Sequence, residues 1–370
     1  MPFHMKRILY VQNQFGLGGI NKITSIKENY LVNHGFEVHN LNAQDSEGLS
    51  PVGMYDEKIV MHSIPIDRLN KLAAIPVVGR ILRFVYCRYQ LLKVIYTTNP
   101  DIIVATMPRL LPVFVVWLSC WKKHILEYHG WYNHPATTKI SWKERAYHTL
   151  ISPFCQLVAL TKGEADKLKR LTGCNSLYIP NSQYSFPKLI SNGESKRVVS
   201  MARFSPPKKL ENIIPYWKMI EEKHSDWELH LFGEGPDEPK MRSAIADNNL
   251  KTVFIHPYTT HVEEEMAKAS IYVFPSMFEG FGLVLLEAMS AGVPCVAYDC
   301  PYGPREIIKD GEDGILSEYN NPKVFLENVL YLIEHDDIRK EMGKKARENS
   351  LKSFNIDSVM NQWITLFNDL

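Results

Sequence analysis

Short apolar runs alternate with stretches of helical period along most of the chain. Residues 8–12 form the first run, after a basic pair, and a run of this length reads as a buried strand. A glycine-rich loop comes next, from Gln14 to Ile20. A helical pattern over about 20–33 follows, ended by His34 and Gly35, and a second run occupies 36–41. Strand, glycine loop, helix and strand in that order open a doubly wound α/β domain. Residues 42–62 are polar and predict loop. Then come a long helical pattern over 75–98, a strand at 101–106, an apolar helix over 110–121 and a strand at 124–128 that ends in His129 and Gly130. Runs at 157–160 and 177–180 complete this half, and 182–195 reads as a linker.

After the linker the α/β pattern restarts. Strands are predicted at 197–201, 228–232, 253–256, 271–274 and 293–297. Helical patterns begin near 211, 239, 262 and 282, and the tail is helical from about 322, with an amphipathic last helix over 354–370. Residues 310–314 predict a turn. The chain's 370 residues exceed the usual size of one domain, so the restart is read as a domain boundary: 1–183 and 188–354.

Charge sharpens the division. Residues 1–185 hold 21 Lys and Arg against 12 Asp and Glu, whereas the remainder holds 21 against 29. A basic first half suits anionic head groups or a phosphate-bearing acceptor. The helix over 75–98 interleaves Arg80, Arg83, Arg88 and Lys93 with Phe84, Tyr86 and Tyr89, which suits a membrane surface as well as a core helix with snorkelling arginines. Nothing in the composition points to nucleic acid. The six cysteines show no metal-ligand spacing and read as buried thiols in a reducing compartment. The start lacks the apolar segment of a signal peptide, and Met5 is as suitable a start as Met1. The longest apolar run, about 12 residues, is too short to span a bilayer. These features predict a cytoplasmic protein with a peripheral position on the inner membrane face.

The candidate chemistry centres on residues 271–316. A buried strand leads to Glu279, then to Gly280, Phe281 and Gly282, then to Leu283 and a helix bearing Glu287. Glycine lets backbone N–H groups approach a ligand, and a helix N-terminus favours an anion. Two carboxylates beside an anion site make sense if they bind hydroxyls, and a nucleotide sugar offers both; a pair of solvated glutamates is the plain alternative. Arg203 and Lys208 follow a strand, where two cations can clamp a diphosphate; an exposed basic loop is the alternative. His129 sits at the carboxyl end of a strand, where ligands bind in open α/β sheets. Gly18 and Gly19 lie in the first glycine loop, which lacks the third glycine and the acidic partner of a dinucleotide site and also reads as a tight turn. There is no strict D-x-D, no G-x-x-x-x-G-K-[ST] loop and no G-x-S-x-G elbow.

Taken together, ARFSPPKKLENII, LFGEGP and SMFEGFGLVLLEAMSAGVPCVAYDCPYGPREIIKDGEDGIL resemble the family 4 retaining glycosyltransferases. The resemblance implies the GT-B architecture: two Rossmann-like domains facing across a cleft, with the last helix, 355–370, returning to the first domain. It implies that Arg203 and Lys208 hold a diphosphate, Glu287 a ribose diol, and Glu279 with the backbone of Gly280, Phe281, Gly282 and Leu283 the transferred sugar and the phosphate. Gly18 and Gly19 would admit the donor, Tyr258 would line the base pocket, and His129 would act beside the sugar. Ala202 and Lys209 depart from the family's pattern, which has glycine at both places. The implied donor is a UDP-linked hexose or N-acetylhexosamine. The implied acceptor is a glycan or a polyprenyl-diphosphate-linked glycan of bacterial polysaccharide biosynthesis, and no metal cofactor is expected. A UDP-sugar epimerase of the same architecture and a non-catalytic sugar-nucleotide-binding protein are the competing expectations.

Overall fold

The structure is a computed structural model that describes residues 5–12, 19–42, 54–64, 78–107, 110–130, 139–183 and 187–370. It divides into two compact α/β units. The first runs to Ile179 and includes Met360–Leu370; the second begins at Pro180 and ends at Val359.

In the first unit the strands are β1 (Arg7–Gln12), β2 (Glu37–Asn42), β3 (Val60–Ser63), β4 (Ile102–Ala105), β5 (Lys123–Tyr128), β6 (Cys155–Ala159) and β7 (Ser176–Tyr178). The helices are α1 (Gly19–Asn33), α2 (Val78–Thr98), α3 (Val113–Leu118), α4 (Trp142–Ile151) and α5 (Lys162–Thr172). All strand pairs are parallel, in the order β3-β2-β1-β4-β5-β6-β7. The interior strands are buried on both faces, which is why β1 and β4 read as nearly continuous apolar runs, whereas β5 also buries His124 and Glu127.

The second unit repeats the plan with β8 (Arg197–Met201), β9 (Glu228–Phe232), β10 (Val253–His256), β11 (Ile271–Phe274), β12 (Cys295–Tyr298) and β13 (Gly314–Ser317). Their order is β10-β9-β8-β11-β12-β13, again all parallel. Its helices are α6 (Leu210–Ile213), α7 (Lys218–Lys223), α8 (Glu238–Asp247), α9 (Val262–Ala267), α10 (Leu283–Ser290), α11 (Pro304–Ile307), α12 (Pro322–Glu334) and α13 (Asp336–Ser353). The last helix, α14 (Ile356–Asp369), ends in the first unit. There the Phe367 ring meets Phe36 edge-on at 6.2 Å and Trp363 lies under the Lys27 ammonium at 4.6 Å.

Four elements differ from the sequence pattern. The apolar stretch 110–121 is helical only over Val113–Leu118, because Pro112 fixes its start and the chain turns at Ser119. Strand β3 falls where loop was expected. It is an exposed edge strand, paired in parallel with β2, and beside that ladder His39 lies 2.9 Å from Glu37 and 3.0 Å from His62. The second sheet repeats this arrangement at its own edge, with His230 2.9 Å from both Glu228 and His256. Strand β13 follows directly on the expected turn. The helical tail is divided at His335 as well as at Phe354, where the separate last helix was expected to begin.

Buried titratable groups of the first unit set its response to pH. Burial pushes His124, on β5, and His148, on α4, down to about 4. Burial pushes Glu28, on α1, up to about 8, even though its carboxyl group accepts from the Asn40 amide at 2.7 and 2.8 Å. Two histidines with depressed values lose stability as pH falls from about 6.5 toward 4, since the unfolded chain takes up their protons first. Glu28 acts oppositely: its contribution is complete below about 4.5 and is lost as pH rises through about 8. Two groups outweigh one in the overlap, so denaturant midpoints are expected to peak near the ordinary histidine value of 6.5. Replacing Glu28→Gln should abolish the loss on the alkaline side; an unchanged alkaline limb would show that Glu28 is already ionised.

Candidate functional site

The order of the second sheet reverses between β8 and β11. That switch point is where two loops leave the sheet in opposite directions and open a crevice at the strands' carboxyl ends. The loop after β8 carries Arg203 and Lys208; the loop after β11 carries Glu279 and the Gly280–Phe281–Gly282 turn. The two strands are locked where their ladder ends: the buried Tyr272 hydroxyl accepts from the Met201 N–H and donates to the Met201 carbonyl, both at 3.1 Å. The loops are tied by the Met277 N–H donating to the Pro207 carbonyl at 2.8 Å.

This brings Lys208 and Glu279 together. The Lys208 ammonium donates to the Glu279 carboxylate and stands 5.5 Å from the centre of the Phe274 ring. Both side chains are mostly shielded, at 23% and 14% exposure, so the pair is screened less than a surface ion pair. Arg203, on the same loop, is exposed. Lys209, which stands where the resembled family has glycine, adopts the left-handed conformation itself, with φ 52° and ψ 27°. The backbone path open to glycine is kept, at a cost of about 1 kcal/mol. Ala202 keeps a strand-end hydrogen bond to the Phe232 carbonyl at 3.1 Å.

Neighbouring loops pack underneath. The turn after β9 holds Gly233 and Gly235, whose Cβ atoms would fall 1.9 Å from the Ala202 carbonyl oxygen and 2.2 Å from that of Phe204. Only a chain without side chains there can floor the Arg203 loop, and the Phe204 N–H donates to the Glu234 carbonyl at 2.9 Å to fix it. From β12 comes a loop braced by a bidentate Asp299–Arg305 pair at 2.8 and 2.7 Å. Its Gly303 would put a Cβ 2.8 Å from the Phe281 carbonyl oxygen. The residue before it, Tyr302, has φ 86°, a strained value for a bulky side chain. These supporting glycines lie inside the motifs LFGEGP and DCPYGPREII, but their packing role is not visible from spacing.

Gly282 caps α10 in the left-handed region, and Leu283 begins the helix. Phe281 is buried and meets Phe354 edge-on at 5.9 Å, which fixes the turn from below. Glu287 lies half-buried in the second turn of α10. Tyr258 is exposed after β10, three strands away from β11, and is not gathered with the Lys208–Glu279 pair.

In the first unit, Gly18 lies outside the described residues and Gly19 begins α1. His129 follows β5 with its side chain only 6% exposed, its Nε2 3.5 Å from Glu127 Oε1. Glu127 is buried and pairs with Lys27 of α1. Burial works to raise the Glu127 pKa, but Lys27 and His129 overcome it and hold the carboxyl down to about 2. The turn is held from the other side, where the Gly130 N–H donates to the buried Glu164 at 3.1 Å. Lys27, Glu127 and Glu164 were not among the sequence candidates. The E-x-H spacing of Glu127 and His129 on one strand face was the available signal.

Residues 181–349 match the family described as Glycosyl transferases group 1. The second unit is a group 1 glycosyltransferase domain. The poly(ribitol-phosphate) alpha-N-acetylglucosaminyltransferase of Staphylococcus aureus (strain COL) is 33% identical over 174 residues, 47% of this chain and 35% of that protein, so the chain spans about a third of that relative's length. An uncharacterized glycosyltransferase of Haemophilus influenzae is 24% identical over 366 residues, 97% of this chain and 99% of that one. A crystal structure of an S. aureus TarM mutant, in complex with Fondaparinux, alpha-GlcNAc-glycerol and UDP, matches with TM-score 0.81 at 18% identity, covering 98% of this chain and 100% of that one. At that identity the likeness establishes the fold: two parallel-sheet domains of the GT-B class. In this group 1 glycosyltransferase domain the Lys208–Glu279 pair stands at the switch point of the sheet.

The buried Lys27–Glu127 pair predicts a measurable asymmetry. Lys27→Met should destabilise the chain by about 3 kcal/mol or more, because it strands a buried carboxylate. Adding Glu127→Gln should recover most of the loss in urea denaturation. A double variant no more stable than Lys27→Met would show that the two side chains are not coupled.

Proposed function

We propose that the chain is a retaining glycosyltransferase that moves a hexose or N-acetylhexosamine from a UDP-sugar to a hydroxyl of a cell-surface glycan or lipid-linked glycan. The observation that carries this reading is the shielded Lys208–Glu279 pair at the switch point, because it offers one cation and one hydroxyl acceptor within a single crevice. In the proposed reaction Lys208 and Arg203 neutralise the donor's diphosphate as it leaves, and the first N–H groups of α10 add the positive end of its dipole. Glu279 accepts from hydroxyls of the transferred sugar, and Glu287 from the ribose diol. The leaving diphosphate takes the proton of the incoming hydroxyl on the same face, so the anomeric configuration is kept. The two cations carry the leaving-group charge, and no metal is assigned. His129, beside Glu127, is assigned the role of orienting the transferred sugar. The UDP of the TarM complex and the N-acetylglucosaminyl group in the S. aureus relative's name support the choice of donor class.

A panel of UDP-, GDP- and ADP-sugars tests this reading by thermal stabilisation, since a ligand of the native state raises apparent stability by mass action. A UDP-sugar should stabilise most. Lys208→Ala should weaken that donor roughly ten- to hundred-fold, the worth of a charge-assisted hydrogen bond. Glu287→Gln should weaken UDP-sugar and UDP alike. Product anomers read by NMR should match the donor's configuration. Conversion of the donor to its epimer without an acceptor would replace this reading with an isomerase, and an absence of UDP-sugar binding would remove it.

A further inference from the structure

Helix α2 is apolar on two opposite sides. Cys87, Leu91 and Ile95 are buried against the sheet. The outward side carries Leu82, Val85, Tyr89 and Tyr96, with Val85 57% and Tyr89 61% exposed. A helix whose outer stripe is apolar belongs in an environment other than water.

The stripe is not isolated. On the stripe itself Tyr96 meets Trp121 at 5.5 Å between ring centres; Phe84, half exposed near the start of α2 on its sheet-facing side, meets Phe114 of α3 at 6.4 Å. The Tyr96 hydroxyl donates to the Leu118 carbonyl at 3.1 Å, and the Trp117 indole N–H to the Leu150 carbonyl at 3.0 Å. Their polar atoms are satisfied inside the protein while Tyr96, Trp117 and Trp121 remain half exposed or more. The patch therefore spans two helices and the turn before β5. Along α2, residues 82–96 cover about 21 Å.

Charge selects the occupant. Between Asp67 and Glu127 the sequence has one acidic residue, Asp101, and its carboxylate accepts from the Arg7 N–H at 2.8 Å. Lys93, Lys122 and Lys123 border the aromatic residues, and Arg88 lies 4.8 Å over the Phe84 ring. A second copy of the chain would set these cations against one another. An anionic surface would neutralise them while taking up the rings.

We propose that the face formed by α2, α3 and the Trp121–Lys123 turn lies flat in the head-group region of an anionic lipid bilayer. None of the described helices is long and apolar enough to cross a membrane, so this contact is interfacial. It goes beyond the proposed transfer reaction and is read without donor or acceptor.

The test is co-sedimentation of the full chain with phosphatidylcholine vesicles, with and without about a third phosphatidylglycerol. The chain should bind the anionic vesicles more tightly, and added salt should weaken that binding. Tyr89→Ser with Trp121→Ser should lower partitioning by about ten-fold or more on both vesicles with an unchanged melting temperature. Lys93→Glu with Lys123→Glu should lower it on the anionic vesicles alone. Binding to neither vesicle, or binding that neither pair of substitutions changes, overturns the proposal. So does a dimer in sedimentation velocity that the Tyr89→Ser, Trp121→Ser variant dissociates, because that assigns the face to a second copy.

Discussion

The buried hydroxyl of Tyr272 closes the last step of the pairing between β8 and β11, holding Met201 by both its N–H and its carbonyl. Burial raises this phenol's pKa far above its ordinary value, so it remains a neutral donor and acceptor. The pairing it completes decides where the second unit's chemistry sits. Strands far apart in sequence become neighbours, their loops part on either side, and Lys208 meets Glu279 between them. The outer strands then serve this junction. β9 supplies a glycine turn below one loop and β12 supplies a braced loop beside the other.

Much of this architecture could be read from the chain. Interior strands are buried on both faces, so their apolar runs stand out, and the alternation with helical patterns identified both α/β units. What could not be read follows from the same physics. β3 is a short, exposed edge strand at the end of a polar stretch, paired with β2 by its backbone, so no buried apolar run announces it. α3 is shortened by a proline in a stretch whose hydropathy suits a longer helix. Lys209 could not be assigned the left-handed conformation of the glycine it replaces, because a lysine gives no local sign of it. Among the candidate residues, Lys208 and Glu279 meet in space, whereas Tyr258 stands at the far edge of the sheet.

The two units solve the same problem with different means. The second holds its loops by backbone hydrogen bonds and by glycines that allow backbone to touch backbone. The first holds His129 by buried charge, with Lys27 and Glu127 neutralising each other beneath it and Glu164 gripping Gly130. Such a pair gives little net stability, but it fixes a side chain where a hydrophobic neighbour would only fill space. The sequence trace of this second device is faint, since a lone E-x-H on a strand and a lysine about a hundred residues away carry no shared spacing.

The contact between Lys208 and Glu279 also acts as an internal competitor. An anion that arrives alone, such as inorganic phosphate, must draw the lysine away from a carboxylate it already holds and offers that carboxylate nothing in exchange. A ligand that brings an anion for the lysine and hydroxyls for the glutamate satisfies both partners as it separates them. Under the proposed reading the ion pair would favour the second kind of ligand over the first. In the proposed reaction, selectivity would therefore come in part from a contact that the donor has to open.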